Sequence, residues 1–338
     1  MSDRARVVGK CVMMCPEKER VRREKERRLS VFEVATVQDG KPRTSAHLAV
    51  KEYVRAGAGH EFPEANELRP PPVLVQTVDH LIRNVADRQD HPWSVVYSFI
   101  NDRIQAIRQD ATYQQLECSE LEHILELSIR FYLYSQYKLY CCSLDTFDPK
   151  LNMVQLQQCL VKLLRCPTVR EDSLEEFQSY YLLINLGSTE AVSEIVNQIP
   201  NWQHSLPLKL AVSVSVSFMD NNFVRFFRLA KQLSGLQQCA LLPYISTIRR
   251  RALETLCTAY SSRNNPFPVR LLQQWLAFQD IDTTAEFCRQ HNVEMQGENI
   301  VFRKGTIMCS QTLTPTDCTI HEWTHKSLKP STICSSSD

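Results

Sequence analysis

Residues 266–305 read PFPVRLLQQWLAFQDIDTTAEFCRQHNVEMQGENIVFRKG, and this stretch decides the architecture. Two prolines, Pro266 and Pro268, open an apolar-periodic segment ending in LLQQWLAF, which predicts one helix. Asp282 stands where it can cap a second helix over TTAEFCRQHNV. The chain then alternates. Val293, Met295, Ile300 and Phe302 are apolar on either side of Gly297-Glu298-Asn299, the pattern of a β-hairpin. Helix, helix and hairpin in so short a span are the arrangement of a winged-helix module.

Everything upstream of that module carries helical periodicity. Residues 73–86 space Val73, Leu74, Val78, Leu81, Ile82 and Val85 as one helical stripe. Comparable stripes predict helices over 92–109, 117–140, 152–164, 174–186, 189–198, 206–218, 220–233 and 241–260. Asn152 and Asp220 are expected N-caps, and Gly187 and Gly235 stand where helices should end. Short loops between helices of this length imply antiparallel helix pairs. No strict repeat period is present, and the tetratricopeptide consensus is absent. The expected fold is therefore all-α, an irregular helical-repeat array of TPR/PCI-like type, ending in a small winged-helix module with a β-hairpin.

The expected organisation has four parts. Residues 1–69 form a basic N-terminal helix and an extended wrap, 70–265 the helical body, 266–305 the winged helix and 306–338 a mostly disordered tail. EKERVRREKERR (17–28) reads as a solvated helix with ion pairs at helical spacing. Pro70, Pro71 and Pro72 keep the wrap extended before the first body helix. The tail is rich in Ser, Thr and Pro.

Composition narrows the function classes. With 338 residues, 43% hydrophobic and 23% charged, the chain is of ordinary globular type. Its eight glycines are too few for a sandwich, a barrel or a glycine-rich nucleotide fold. The net charge of +1 predicts no polyanionic partner for the whole molecule, although residues 1–30 hold a local +5. Thirteen scattered cysteines and no long apolar span point to reduced thiols in cytosol or nucleus and to no membrane association.

No phosphate-binding loop, dinucleotide fingerprint or nucleophile elbow occurs. His321-Glu322-Trp323-Thr324-His325 matches the HExxH zinc pattern but lies between Pro315 and Pro330 in the tail, without a third histidine, and reads as a chance match. Cys11 and Cys15 make half a zinc site with no second pair close behind; the plainer reading is a cysteine-proline turn. No metal, cofactor or small-molecule substrate is therefore expected. Asp102, Arg103, Arg108 and Asp110 share one helix and read as a structural ion network. Arg249, Arg250 and Arg251 form a basic run which, with Arg303 and Lys304 on the expected wing, could meet phosphates or a protein partner.

Several segments, taken in order, resemble the SAC-three/GANP family. They are Met14-Cys15-Pro16-Glu17 with the helix behind it, Phe32-Glu33, AVKEYVRAGAG (49–59), LRPPPVLVQTVDHLI (68–82), NDRIQAIRQD (101–110) and the winged-helix stretch. Val12 departs from the pattern, where the family often has a proline after the first cysteine. The resemblance spans roughly 9–305, so HEWTH gains no role from it. It implies a non-enzymatic scaffold whose winged helix pairs with a second winged-helix (PCI-type) protein, with RNA as a further partner. The length is similar to the short branch of the family, which implies work at the centrosome and spindle, in the cytoplasm, and a role in centrosome duplication and mitotic progression. The alternative is an adaptor for messenger-RNA export or processing in the nucleus.

Overall fold

A computed structural model describes residues 7–55, 62–117, 119–166, 171–199, 202–262, 266–305 and 328–334. Among these, twelve α-helices are joined mostly by short loops, and strands are confined to a two-stranded and a three-stranded piece. This is the expected all-α array. No described helix is long and apolar enough to cross a membrane.

The chain divides into two compact units. One unit holds residues 1–132, 154–169 and 329–335; the other holds 133–153, 170–328 and 336–338. The N-terminal wrap shares a unit with the first body helices because its charged side chains find their partners there. The winged helix shares a unit with the later helices.

In the first unit α1 (Glu17–Lys25) follows Pro16, with Glu17 and Glu19 in its first turn and Arg22, Arg23 and Lys25 in its last. That order suits the helix dipole. The helix was expected to be solvated, yet Arg23 is completely buried. A small hairpin follows, β1 (Thr36–Gln38) and β2 (Lys41–Arg43), turned at Asp39 and Gly40. Helix α2 (Pro71–His80) starts on two prolines, which need no partner for their missing N–H groups there, and relaxes into a π-helical turn at Leu81–Val85. Helix α3 (Trp93–Tyr113) buries Val96, Ile100, Ile104, Ile107 and Ala111 at helical spacing. Gly9 fits only because it lacks a side chain: a Cβ there would meet the Leu68 carbonyl oxygen at 2.5 Å. Within the segment expected to be a mostly disordered tail, Pro330–Ile333 form a 3-10 turn and Ile333 is fully buried, packed with the Leu81–Val85 turn.

Helices α4 (Ser119–Lys138) and α5 (Pro149–Leu164) contribute residues to both units. The start of α5 corrects the expected cap. Asp148 accepts from the backbone N–H groups of Lys150 (2.8 Å) and Leu151 (3.2 Å), with Pro149 in the first position. Asn152 is buried inside the helix and donates to Gln136 at 3.1 Å.

The second unit continues with α6 (Glu171–Ile184), α7 (Thr189–Gln198), α8 (Leu206–Met219), α9 (Phe223–Ala230) and α10 (Gly235–Ala259). Helix α8 packs on α6 and α9, and α6 packs on α7 and α10. Asp220 does not cap α9; it ends α8, the chain turns at Asn221 with φ of 54°, and Asn222 caps α9 by accepting from Arg225 N–H at 3.0 Å. Gly235 begins a helix instead of ending one. Ser234 and Gln237 form a capping box around it, a signal obscured by reading glycine as a terminator.

The module that ends this unit is built as β3 (Phe267–Pro268), α11 (Val269–Trp275), α12 (Ile281–Gln290), β4 (Glu294–Gln296) and β5 (Asn299–Val301), with β5 between β3 and β4. Two helices between the first strand and a hairpin, with the last strand central, is winged-helix topology. Asp280, not Asp282, caps α12, accepting from Thr283 N–H at 2.7 Å. The hairpin turns at Gly297-Glu298, where Gly297 takes φ of 61°. Its core is aromatic, with Phe267 against Phe302 (5.4 Å) and Trp275 (5.4 Å), and Phe278 against Phe287 (5.1 Å).

Candidate nucleic-acid and partner interface

The four residues expected to form an ion network on α3 are separated by their partners. Asp110 is fully buried and takes Lys51 Nζ at 2.7 Å and Arg69 Nε at 2.8 Å. Lys51 also donates to the Glu67 carbonyl at 2.7 Å, and Arg69 to the Met14 carbonyl at 3.3 Å. Arg103 donates to Glu33 at 3.1 Å and lies over the Phe99 ring at 4.6 Å. Asp102 pairs with Arg103 and accepts from Tyr53 N–H at 3.2 Å. Arg108 leaves the network: it donates to Gln155 Oε1 at 2.6 Å and Gln158 Oε1 at 3.0 Å, two neutral amides.

The centre of the network is a pair that reading by helix face missed. Arg23 and Glu33, both fully buried, bond through Nη1 to both carboxylate oxygens at 2.9 and 2.8 Å. Glu33 also accepts from Val50 N–H at 2.8 Å, and Arg23 donates to the Val50 carbonyl at 2.9 Å. Glu19 lies 3.3 Å from Arg23, and Glu52 lies 3.6 Å from Arg103. A buried charge is tolerated when it is paired and hydrogen-bonded, and each of these charges has at least two partners, although Nε of Arg23 and of Arg103 and Nη2 of Arg69 make no hydrogen bond. The pairings of Glu33 run from 10 residues apart for Arg23 to 70 for Arg103, and no local periodicity announces them. The one available signal was order: Cys15, Glu33, Lys51, Arg69, Arg103 and Asp110 all lie in the segments that carried the family resemblance.

Cys15 sits within this cluster. Burial, and then the nearby Glu19 carboxylate, push its thiol up to about 12, and Arg23 donates to its sulfur at 3.3 Å. A thiol held protonated is a poor nucleophile at neutral pH. Cys11 turns back on the chain, donating to the Met13 carbonyl at 3.2 Å. Among the described residues no cluster of three or more His, Cys, Asp and Glu could hold a metal ion. The HEWTH segment lies outside the described residues.

The basic run on α10 changes most. Arg249 was expected at the surface and is instead fully buried. It donates to the Leu276 carbonyl at 3.1 Å and the Ala277 carbonyl at 3.0 Å, and its guanidinium lies 3.8 Å from the centre of the Phe278 ring. It ties α10 to the turn after α11, where Ala277 has φ of 54° and helical hydrogen bonding has ended. Three consecutive arginines on a helix must point about 100° apart, so one of them faces the core. Arg250 is half-buried beside Glu254 at 3.9 Å. Arg303, exposed, is paired with Glu294. Arg251 and Lys304 are exposed, Arg251 lying over the Phe218 ring at 5.7 Å. The five expected contact residues thus do not form one basic patch.

Comparison with known proteins bears on the same region. The model of the SAC3/GANP family matches residues 14–297. The Drosophila melanogaster protein xmas is 31% identical over 321 residues, covering 88% of this chain and 15% of its own length. SAC3 family protein B of Arabidopsis thaliana is 29% identical over 300 residues, covering 82% and 17%. SAC3 family protein 1 of Schizosaccharomyces pombe is 28% identical over 320 residues, covering 86% and 30%. The chain therefore spans less than a third of the length of these relatives.

Proposed function

The chain belongs to the SAC3/GANP family, and from that premise we propose that it is a non-catalytic helical scaffold, acting at the centrosome and spindle in centrosome duplication and mitotic progression. The observation that carries the scaffold reading is a winged helix folded onto a helical array, with one arginine of the α10 run, Arg249, turned inward to hold it. What the module offers outward is a mixed surface, with Leu271 38% exposed beside the exposed Arg270 on α11. A surface of that kind suits a protein partner, and a second winged-helix protein of PCI type is the partner the family likeness suggests.

The test is recovery of such a partner from mitotic extract by the purified chain, with the recovered proteins identified by mass spectrometry. A PCI-type protein should be recovered by the wild type and lost with Leu271→Glu. A chain that stays monomeric and recovers none overturns the reading. A second reading, an adaptor in messenger-RNA export or processing, is supported by the two exposed cations Arg251 and Lys304. Two phosphate contacts give weak binding with a shallow salt dependence, which is why it stands second.

A further inference from the structure

In the first unit, α3, the start of α4 and the later turns of α5 enclose two adjoining hollows of about 530 and 660 Å³ that share Leu121, Gln158 and Lys162. Joined through those residues, they make one trough. Leu121, Leu125, Val154 and Val161 give it apolar ground. Among the described residues, Arg108, Lys162 and Arg165 line it, with Glu117 as the one carboxylate.

The amides set its polarity. Gln155 and Gln158 both spend their carbonyl oxygen on Arg108, at 2.6 and 3.0 Å. Each side chain keeps its NH₂ as a donor for a ligand. With Lys162 and Arg165, both exposed, the trough presents donors and positive charge between apolar positions. Its natural complement is rich in carbonyl and carboxylate oxygens and carries apolar groups at intervals.

We propose that this trough binds an extended acidic peptide of a partner protein, in which acidic and apolar side chains alternate. An extended chain turns successive side chains to opposite sides, so one set can meet the apolar ground while backbone carbonyls and carboxylates meet the donors. Charge complementarity favours the peptide: three cations to one anion. A polynucleotide is the poorer fit, because its affinity grows with the number of phosphates neutralised, and three cations set among apolar positions neutralise few.

The test uses the full chain and fluorescence anisotropy. The probe is a labelled peptide of about ten residues alternating Glu and Leu, long enough at about 3.3 Å per residue to run along both hollows. Saturable binding is expected, weakened at least about tenfold by Lys162→Glu with Arg165→Glu, and weakened also by Val154→Asp. All three positions are exposed, and circular dichroism melts check that the variants remain folded. Leu271→Glu should leave the peptide binding unchanged, which separates this proposal from the winged-helix reading. Failure of the Glu/Leu peptide to saturate, equal binding of a Lys/Leu peptide, or insensitivity to the substitutions overturns it. So does tight binding of oligouridine that the same substitutions abolish, which would assign the trough to nucleic acid. Self-association lost in the charge-reversed variant would assign it to a second copy of the chain.

Discussion

The N-terminal ion network and the winged helix fasten the chain in opposite ways. In the first, Arg23, Glu33, Arg103, Asp110, Arg69 and Lys51 bring together segments up to 70 residues apart, and buried charge does the fastening. In the second, a continuous stretch of about forty residues closes on aromatic side chains, with a single guanidinium, Arg249, tying it to the preceding helix. Aromatic packing degrades gradually, since one lost contact leaves the others in place. A buried ion pair fails abruptly, since the abandoned partner stays charged in a dry site.

Glu33→Ala is the harshest way to break the contrast, leaving Arg23 and Arg103 buried without their shared carboxylate. It should cost about 3–5 kcal/mol in urea or thermal unfolding. Asp110→Asn should come close, because Arg69 and Lys51 lose their common charge while the shape is kept. On the other side, Arg249→Ala should cost about 2–3 kcal/mol, as two carbonyls lose a charged donor and Phe278 loses its cation. Arg249→Lys should recover only part, because an ammonium cannot span two carbonyls as the planar guanidinium does. Gly9→Ala should cost about 1–3 kcal/mol, since the new methyl meets backbone and not a movable side chain.

Thiol labelling sharpens the contrast further. Cys15 reports on the network and Cys288 on the winged helix, and burial pushes each thiol up to about 12. At pH 8 neither should react in the folded chain. Glu33→Ala should speed labelling of Cys15 and leave Cys288 unchanged. Because the folded protein holds these protons above the ordinary value of 9.0, their contribution to stability is complete below pH 9. It should be lost as pH rises from there towards 12, and melts across that window check the sign. The smallest effect belongs to Arg251→Glu with Lys304→Glu, which should change stability by no more than about 0.5 kcal/mol. Any RNA binding they do support should weaken and lose salt dependence.

What could be read in the sequence follows the same division. Helices announced themselves through spacing, as on α3, and the winged helix through two helices and a hairpin turning at Gly297. Boundaries were less legible. Asp148 was passed over for Asn152, Asp280 for Asp282, and the Ser234–Gln237 box was hidden behind Gly235. Burial of single charged residues was least legible of all. Nothing in EKERVRREKERR distinguishes Arg23 from its neighbours, because what sets it apart is Glu33 and Val50 arriving from elsewhere. The run Arg249–Arg251 misled for the same reason. Consecutive like residues invite reading as a patch, while a helix sends them in different directions. The trough draws its lining from α3, α4 and α5 and so has no linear signature.

The ion network also constrains the order in which the chain can be made. Arg23 and Glu33 meet within one short stretch, but Lys51 and Arg69 have no carboxylate until residue 110 has left the ribosome. Contacts so distant in sequence form late. Until then the emerging N-terminal segment carries unpaired charge and exposed apolar side chains, the condition in which nascent chains recruit chaperones or aggregate. Pausing translation before that codon should lengthen this exposure, whereas the winged helix, with its partners close at hand, needs no such wait.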